Sequence, residues 1–479
     1  MKTIAKQINA VAEKEITRES RAPKFWEALT ALTIIFLVII IGLKLNTGLT
    51  APLVAGSFIA GLFGLYLGYG WPDLQTGMIQ GIANALPCIM ILMLVGLMIG
   101  IWIIGGTVPV MIYYGLQILT PQLFLPATFI LCCIVSLATG TSWGTIGTMG
   151  LALIGIGQGL NIPLPIVAGA IVSGAYFGDK MSPLSDTTNV APAMAGAELF
   201  EHIGSMLYTT IPATIVSIIL YTFLGFRGTN GSVSTDTVSF ILNTLSSSFN
   251  ISLLALVPPV LVILMSVRRI PAIPALSTTV IFSMFWAMLS QGVEFSAIVS
   301  TSINGFVSNT GVAAVDVLLS RGGLNSMMGI ISMVLLATAL GGILERTGIL
   351  TVIINTLLKK VKSAGSLIFS VLVSSYAILL VSGNSMLAII LPGRTFRDAF
   401  AERKIEPRVL SRTLEDAGTI GAVLIPWSAA GLYVYGILDV PVLSFAPYAF
   451  LNWTVPIFSI IFAYTGFAVF KIKESKRDE

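Results

Sequence analysis

Ser173-Gly-Ala-Tyr-Phe-Gly178-Asp179-Lys180-Met181-Ser182-Pro183-Leu184-Ser185-Asp186-Thr187-Thr188-Asn189 is the stretch on which the reading of this chain turns. An apolar run leads into it from Pro163. It then meets two acids, one base, several hydroxyl- or amide-bearing side chains and a helix-breaking proline. Were it a cytoplasmic loop, these would be ordinary turn residues. Inside a bilayer they are costly, and ionisable groups there mark a functional site by default.

The rest of the chain puts it inside a bilayer. Of 479 residues, 55% are hydrophobic and only 10% charged, against about 25% charged in a soluble domain. A soluble interior cannot hide that much apolar surface, so lipid must solvate much of it. Apolar runs long enough to span lie near 27–46, 50–70, 85–105, 203–226, 250–267, 272–290, 325–347 and 446–470. Four more, 122–150, 163–196, 364–393 and 408–436, are broken by Gly, Pro, Ser, Thr and Asn. Broken helices survive at membrane depth only where protein or a water-filled cavity satisfies the freed backbone. Cys88, Cys132 and Cys133 sit in apolar runs and read as small buried hydrophobes. A single histidine, His202, excludes a His cluster for a transition metal. No nucleophile–base pair is evident, so an enzyme is not expected, and no cofactor or nucleic-acid partner is implied. The polar first 24 residues, with no short apolar core, do not read as a cleavable signal peptide.

Lys and Arg set the orientation. Twenty-two of the 26 fall in five clusters: the N-terminal tail, Arg268–Arg269, Arg346 with 359–362, 394–412, and the C-terminal tail. One topology places all five in the cytoplasm. It leaves Lys44, Arg227 and Arg321 outside and Lys180 in the membrane. It needs 122–150 and 364–393 to be re-entrant hairpins. The expected fold is therefore an all-α polytopic membrane protein of about ten full spans plus two hairpins. Residues 1–26 form a cytoplasmic tail, 27–226 the first repeat, 227–249 an external loop, 250–470 the second repeat, and 471–479 a second cytoplasmic tail.

The two repeats align at a constant offset. Leu137, Gly140, Ser142 and Gly150 fall 243 positions before Leu380, Gly383, Ser385 and Gly393, and Gly178, Pro183 and Ser185 fall 243 before Gly421, Pro426 and Ser428. The charge map gives the repeats opposite topology. Inverted repeats with two broken helices are the mark of secondary transporters, with the site at mid-membrane between the repeats. A channel follows from the same physics, but paired broken helices favour alternating access.

The chemistry then assigns itself to oxygens. Na⁺, like Ca²⁺ and Mg²⁺, is a hard cation that takes oxygen ligands. Ser182, Ser185, Thr187, Thr188 and Asn189 offer neutral oxygens. Asp186 or Asp179 offers a charge that a proton can replace, and Asp186, just past the Pro183 break, is the first choice. Lys180 is expected to pair with Asp179 or Asp186, either neutralising it or coupling to it. The hairpin tips add Thr141, Ser142, Asn384 and Ser385, whose bland alternative is small-residue helix packing. Glu415 and Asp416 beside Arg412, and Glu345 beside Arg346, read as solvated ion pairs near the cytoplasmic boundary. Asp316, Glu294 and Asp236 read as inert loop acids, and His202 as solvated.

Gly174-Ala-Tyr-Phe-Gly-Asp-Lys-Met-Ser-Pro-Leu-Ser-Asp-Thr-Thr-Asn189, followed by Ala191-Pro192, resembles the signature of the NhaC family of Na⁺/H⁺ antiporters. The likeness extends over nearly the whole chain. It implies a multi-pass protein of the cell membrane with both termini cytoplasmic, part of the larger ion-transporter superfamily. It further implies a homodimer in which a transport domain carrying the hairpin tips moves against a scaffold. The family's relatives resembling a malate/lactate antiporter keep a second substrate class open: small carboxylates exchanged along with Na⁺ and H⁺. The lone intramembrane base, with two acids beside it, favours cation exchange.

Overall fold

The computed structural model of the protein describes residues 20–45, 47–228, 235–359 and 361–472. Most of both basic tails, Lys360, and residues 229–234 of the expected external loop lie outside these. The described residues are almost entirely helical, with no strand.

Three helices open the chain: α1 (Phe25–Lys44), α2 (Thr50–Tyr66) and the 34-residue α3 (Trp71–Ile104). A short α4 (Thr107–Ile118) leads to the first hairpin. Its first arm is α5 (Pro121–Thr139). Its second begins with α6 (Ser142–Thr145), passes through a π turn (Ile146–Gly150), and ends in α7 (Leu151–Gly159). Then come α8 (Leu164–Met181), α9 (Asp186–Ala195) and α10 (Leu199–Gly228).

The second half runs through α11 (Thr235–Ser248), α12 (Val257–Val267), α13 (Ala272–Gln291), α14 (Phe295–Asn304), α15 (Ala313–Leu319), α16 (Leu324–Arg346) and α17 (Ile349–Lys359). The second hairpin is α18 (Ala364–Ser382) with α19 (Ser385–Glu402). After it, α20 (Pro407–Leu414) continues through a π turn (Glu415–Thr419) and a 3₁₀ turn (Ala422–Leu424). The chain ends in α21 (Ala429–Leu438), α22 (Val442–Phe445) and α23 (Phe450–Thr465).

Among the described residues seven helices are long and apolar enough to cross a membrane, and three sharply bent helix pairs raise the figure to as many as ten. Both hairpins reach further than 122–150 and 364–393, to Gly159 and Glu402, where each second arm continues as helix. Two elements, α14 and α15, occupy what read as an external loop.

The 243-residue offset holds at the level of helix ends. Arms α5 and α18 coincide under it, α8 coincides with Pro407–Leu424, and α9 with α21. Left-handed backbone recurs at the same places: Gly140 and Gly383 at the hairpin tips, Asn161 and Lys404 after the hairpins, Gly196 and Asp439 after the breaks. Gly147 packs against Tyr433 and Gly150 against Leu438, while Gly393 packs against Met194 and Gly196 against Arg397. The second part of each broken helix thus runs beside the second arm of the other hairpin, in the same direction.

Small residues set the closest approaches. A Cβ on Gly342 would sit 2.1 Å from the Gly77 carbonyl, and one on Gly81 2.1 Å from the Thr338 carbonyl, so α3 and α16 meet backbone to backbone. Gly174 and Gly178 likewise bring α8 onto α5, with Cβ positions 2.4 Å from the Phe129 carbonyl and 2.2 Å from the Leu137 nitrogen. Helices in lipid associate through just such packing, since lipid tails remove the hydrophobic incentive.

Candidate functional site

Pro183 ends α8. It has no N–H to donate and it disfavours helical backbone in the residue before it; Ser182 is accordingly extended. The break 182–185 abuts the tip of the first hairpin, where Gly140 lies against Leu184. Ser182 fixes this junction by donating to the Leu137 carbonyl (2.9 Å).

Asp179 joins the two. Its Oδ2 accepts from Ser142 Oγ at the hairpin tip (2.5 Å) and its Oδ1 from Ser185 Oγ in the break (2.6 Å). Ser185 sits in the N-cap position of α9, where a serine normally accepts from the helix backbone. No such cap bond forms here; the hydroxyl goes to Asp179 instead. Thr187 Oγ1 lies 3.1 Å from Ser185 Oγ. Thr188 donates to the carbonyls of Asp179 (2.9 Å) and Lys180 (3.0 Å), satisfying groups freed where α8 stops. Asp179 is half-buried, while Ser142, Ser185, Thr187 and Thr188 are buried.

The remaining sequence candidates lie elsewhere. Asp186 and Asn189 are exposed at the start of α9, and Asn189 donates to the Pro183 and Ser185 carbonyls. Thr141 and Asn384 are equivalent helix caps, accepting from Gly144 N (3.3 Å) and from Met386 N (2.9 Å). Ser385 is half-buried at the first position of α19.

Lys180 points away from both nearby aspartates. Its Nζ donates to Asp416 Oδ1, Thr209 Oγ1 (3.2 Å) and Thr210 Oγ1 (3.0 Å). Thr209 also donates to Asp416 Oδ1 (3.0 Å). Lys180 and Asp416 are both 0% exposed, so this is a sealed ion pair between the two halves and not the local pairing its neighbours suggest.

Glu415 and Asp416 are likewise not solvated. The helix that carries them starts at Pro407, so they lie two turns in and are fully buried. They sit on a π turn, a feature that collects at functional sites. Neither Glu415 oxygen has a hydrogen-bond partner among the described residues, nor has Asp416 Oδ2 or Thr419 Oγ1. The Thr419 and Thr187 hydroxyls lie near Glu415, and the charges of Asp179 and Lys180 bear on it. The same rule that flagged Asp179, an acid inside a broken span, applies to Glu415; the neighbouring Arg412 masked it. Arg412 is itself buried and donates to the Ala468 carbonyl (3.1 Å).

Other expectations change too. His202 is buried, with Nδ1 2.8 Å from Ser411 Oγ. Arg346 pairs with Asp73 (3.0 Å) and not with Glu345. Asp316 organises its loop, accepting from Thr310 N (2.7 Å), Thr310 Oγ1 (2.8 Å) and Ser308 Oγ (2.7 Å). Among the described residues no group of three or more His, Cys, Asp or Glu could hold a metal ion. The site's oxygens are mostly hydroxyls, a set suited to a passing alkali cation.

Sequence comparison adds a second line. The profile of the Na⁺/H⁺ antiporter family matches residues 174–467. A Malate-2H⁺/Na⁺-lactate antiporter of Bacillus subtilis is 39% identical over 451 residues, 94% of this chain and 96% of that protein. The Na⁺/H⁺ antiporter NhaC of Alkalihalophilus pseudofirmus is 42% identical over 421 residues, 88% of this chain and 91% of its own. An arginine/ornithine antiporter of Halobacterium salinarum is 37% identical over 455 residues, 94% of each.

Proposed function

Because the chain belongs to the Na⁺/H⁺ antiporter family, the family of the NhaC transporters, we propose that it exchanges Na⁺ for H⁺ across the cell membrane by alternating access, with Asp179 the carboxylate for which the two ions compete. The observation that carries this reading is the double bond of Asp179 to Ser142 and Ser185. One carboxylate thereby reads both the hairpin tip and the helix break. A Na⁺ seated there takes the carboxylate oxygens together with the lone pairs of Ser142, Ser185 and Thr187, while a proton replaces it on the carboxylate alone. Competition for one carboxylate is the simplest coupling of the two fluxes. Asp186, the first choice by sequence, is exposed, and the role moves to Asp179.

The wider arrangement belongs to the same proposal: inverted repeats 27–226 and 250–470, both termini cytoplasmic, a homodimer, and no cofactor beyond the transported ions. The second reading is Na⁺- and H⁺-coupled exchange of small organic acids. It is favoured by the 39% identity to a relative named for malate and lactate.

Sodium-dependent proton flux in proteoliposomes, with and without malate and lactate, separates the two. The expected result is full flux without either acid; flux only in their presence replaces cation exchange with carboxylate exchange. Asp179→Asn should lower the flux at least about 100-fold, since a group of equal shape cannot hold the shared proton. A normal rate in that variant from pH 6 to 9 would return the role to Asp186.

A further inference from the structure

We propose that Glu415, with Thr419, completes the Na⁺ site from the second half of the chain, so that the ion lies between two carboxylates contributed by different repeats. The proposal rests on the assignment of Asp179 above.

The argument is one of charge and donors. An ammonium group has three N–H bonds, and all three of Lys180 are engaged by Asp416, Thr209 and Thr210. Lys180 therefore neutralises Asp416 and has nothing left for the other acids. Asp179 takes two hydroxyl donors. Glu415 takes none in hydrogen-bonding geometry, although it is fully buried and the charge of Asp179 bears on it. A buried carboxylate without partner or donor is a strongly unfavourable arrangement, and a second negative charge nearby makes it more so. An unsatisfied buried group of this kind calls for a missing partner.

The surroundings specify that partner. The neutral groups at Glu415 are the hydroxyls of Thr419 and Thr187, and Thr187 in turn touches Ser185, which touches Asp179. The oxygens thus run in contact from Asp179 through Ser185 to Thr187, and Glu415 and Thr419 stand beyond them with no hydrogen bond to close the array. An array of oxygens with negative charge at both ends is a site for a hard cation. Its hydroxyl content suits an alkali cation. Glu415 and Thr419 sit on a π turn, where the helix is widened by one residue and its side chains are turned out of ordinary register.

The consequence is that Na⁺ ties the first break to the second half. Thermal unfolding of the purified protein in detergent tests this, in choline chloride and in a NaCl titration at constant ionic strength, alongside Na⁺ half-saturation of exchange in proteoliposomes. In the wild type, Na⁺ should raise the melting temperature. In Glu415→Gln the baseline in choline should be unchanged or higher, because a buried charge is removed. Its Na⁺ half-saturation should rise at least about tenfold, as a charge-assisted contact to the ion is lost. Thr419→Ala should shift it in the same direction by less. A lowered choline baseline in Glu415→Gln with unaltered Na⁺ response makes Glu415 a structural residue and overturns the proposal. So does a half-saturation within twofold of wild type. Retained exchange in Asp179→Asn is a different failure, that of the site itself. Asp179→Asn inactive with Glu415→Gln indifferent to Na⁺ leaves the site standing without its second carboxylate.

Discussion

The two helix breaks share a backbone and differ in what they do with it. In the first, Ser182 donates to the Leu137 carbonyl at the hairpin tip (2.9 Å); in the second, Trp427 Nε1 donates to the equivalent Leu380 carbonyl (2.7 Å). In the first, Ser185 Oγ goes to the carboxylate of Asp179. In the second, the position of Asp179 is Ala422, and Ser428 Oγ goes to the Ala422 backbone carbonyl (2.6 Å) and accepts from Gly431 N (2.8 Å) as an ordinary helix cap. The second break is thus the first with its ionisable groups removed and its serine returned to structural duty. Its half holds acids about two turns earlier, Glu415 and Asp416, where the first half has Val172 and Ser173. A duplicated scaffold needs two breaks to build the fold, but it needs only one centre of charge. On the assignment proposed above, the asymmetry separates the features that serve architecture from those that serve ions.

The comparison breaks most sharply at Lys180, whose counterpart is Val423. Lys180→Met leaves Asp416 buried without its cation and should cost about 3–5 kcal/mol of stability. Asp416→Asn in the same background should restore most of the lost melting temperature in detergent. No recovery in the double variant would mean that Lys180 holds more than this pair. The paired serines sharpen the contrast further. Ser428→Ala should cost about 1 kcal/mol, the value of a helix cap, and leave Na⁺ half-saturation unchanged. Ser185→Ala should raise that half-saturation roughly tenfold, about 1.4 kcal/mol, with little effect on melting. Equal behaviour of the two would erase the distinction.

The smallest effect lies in the segment that carries α14 and α15. The Thr310 N–H, and next the Ser308 hydroxyl, hold the Asp316 carboxyl below its ordinary 3.8. The ordering they provide is therefore complete above about pH 4 and fades as pH falls through the lowered value. Amide exchange of 305–312 should be slow at pH 7, after correction for intrinsic rates, and faster in Asp316→Asn at the same pH.

Much of this was legible in the sequence, for physical reasons. Hydropathy finds spans because lipid admits little else, and Pro183 and Pro426 mark breaks because proline cannot continue the ladder. The 243-residue offset picks out the hairpin tips, Ser142 among them, and the motif holds Asp179 and Ser185, with Asp186 ranked ahead of Asp179 by sequence. What the motif could not say is which way Lys180 turns, since its partner lies 236 residues away. Glu415 was passed over because Arg412 and Arg408 beside it suggest a wet boundary; depth depends on where the helix begins, which charge alone does not reveal. Asp186 looked central by its place after the break, but the first residue of α9 faces outward.

The distance between Lys180 and Asp416 is also an interval of time. A ribosome adding about 5–20 residues per second makes Lys180 roughly 10–50 s before it makes Asp416, on the separation of 236 residues. For that period the first half has a cationic residue at its break and no anion from the second half to meet it. Thr209 and Thr210 are made only seconds after Lys180, and their hydroxyls remain its partners in the finished protein. They can hold the ammonium from the outset, as a berth occupied before the permanent mooring arrives. Until the second π turn is made, the first half carries this charge without its anion.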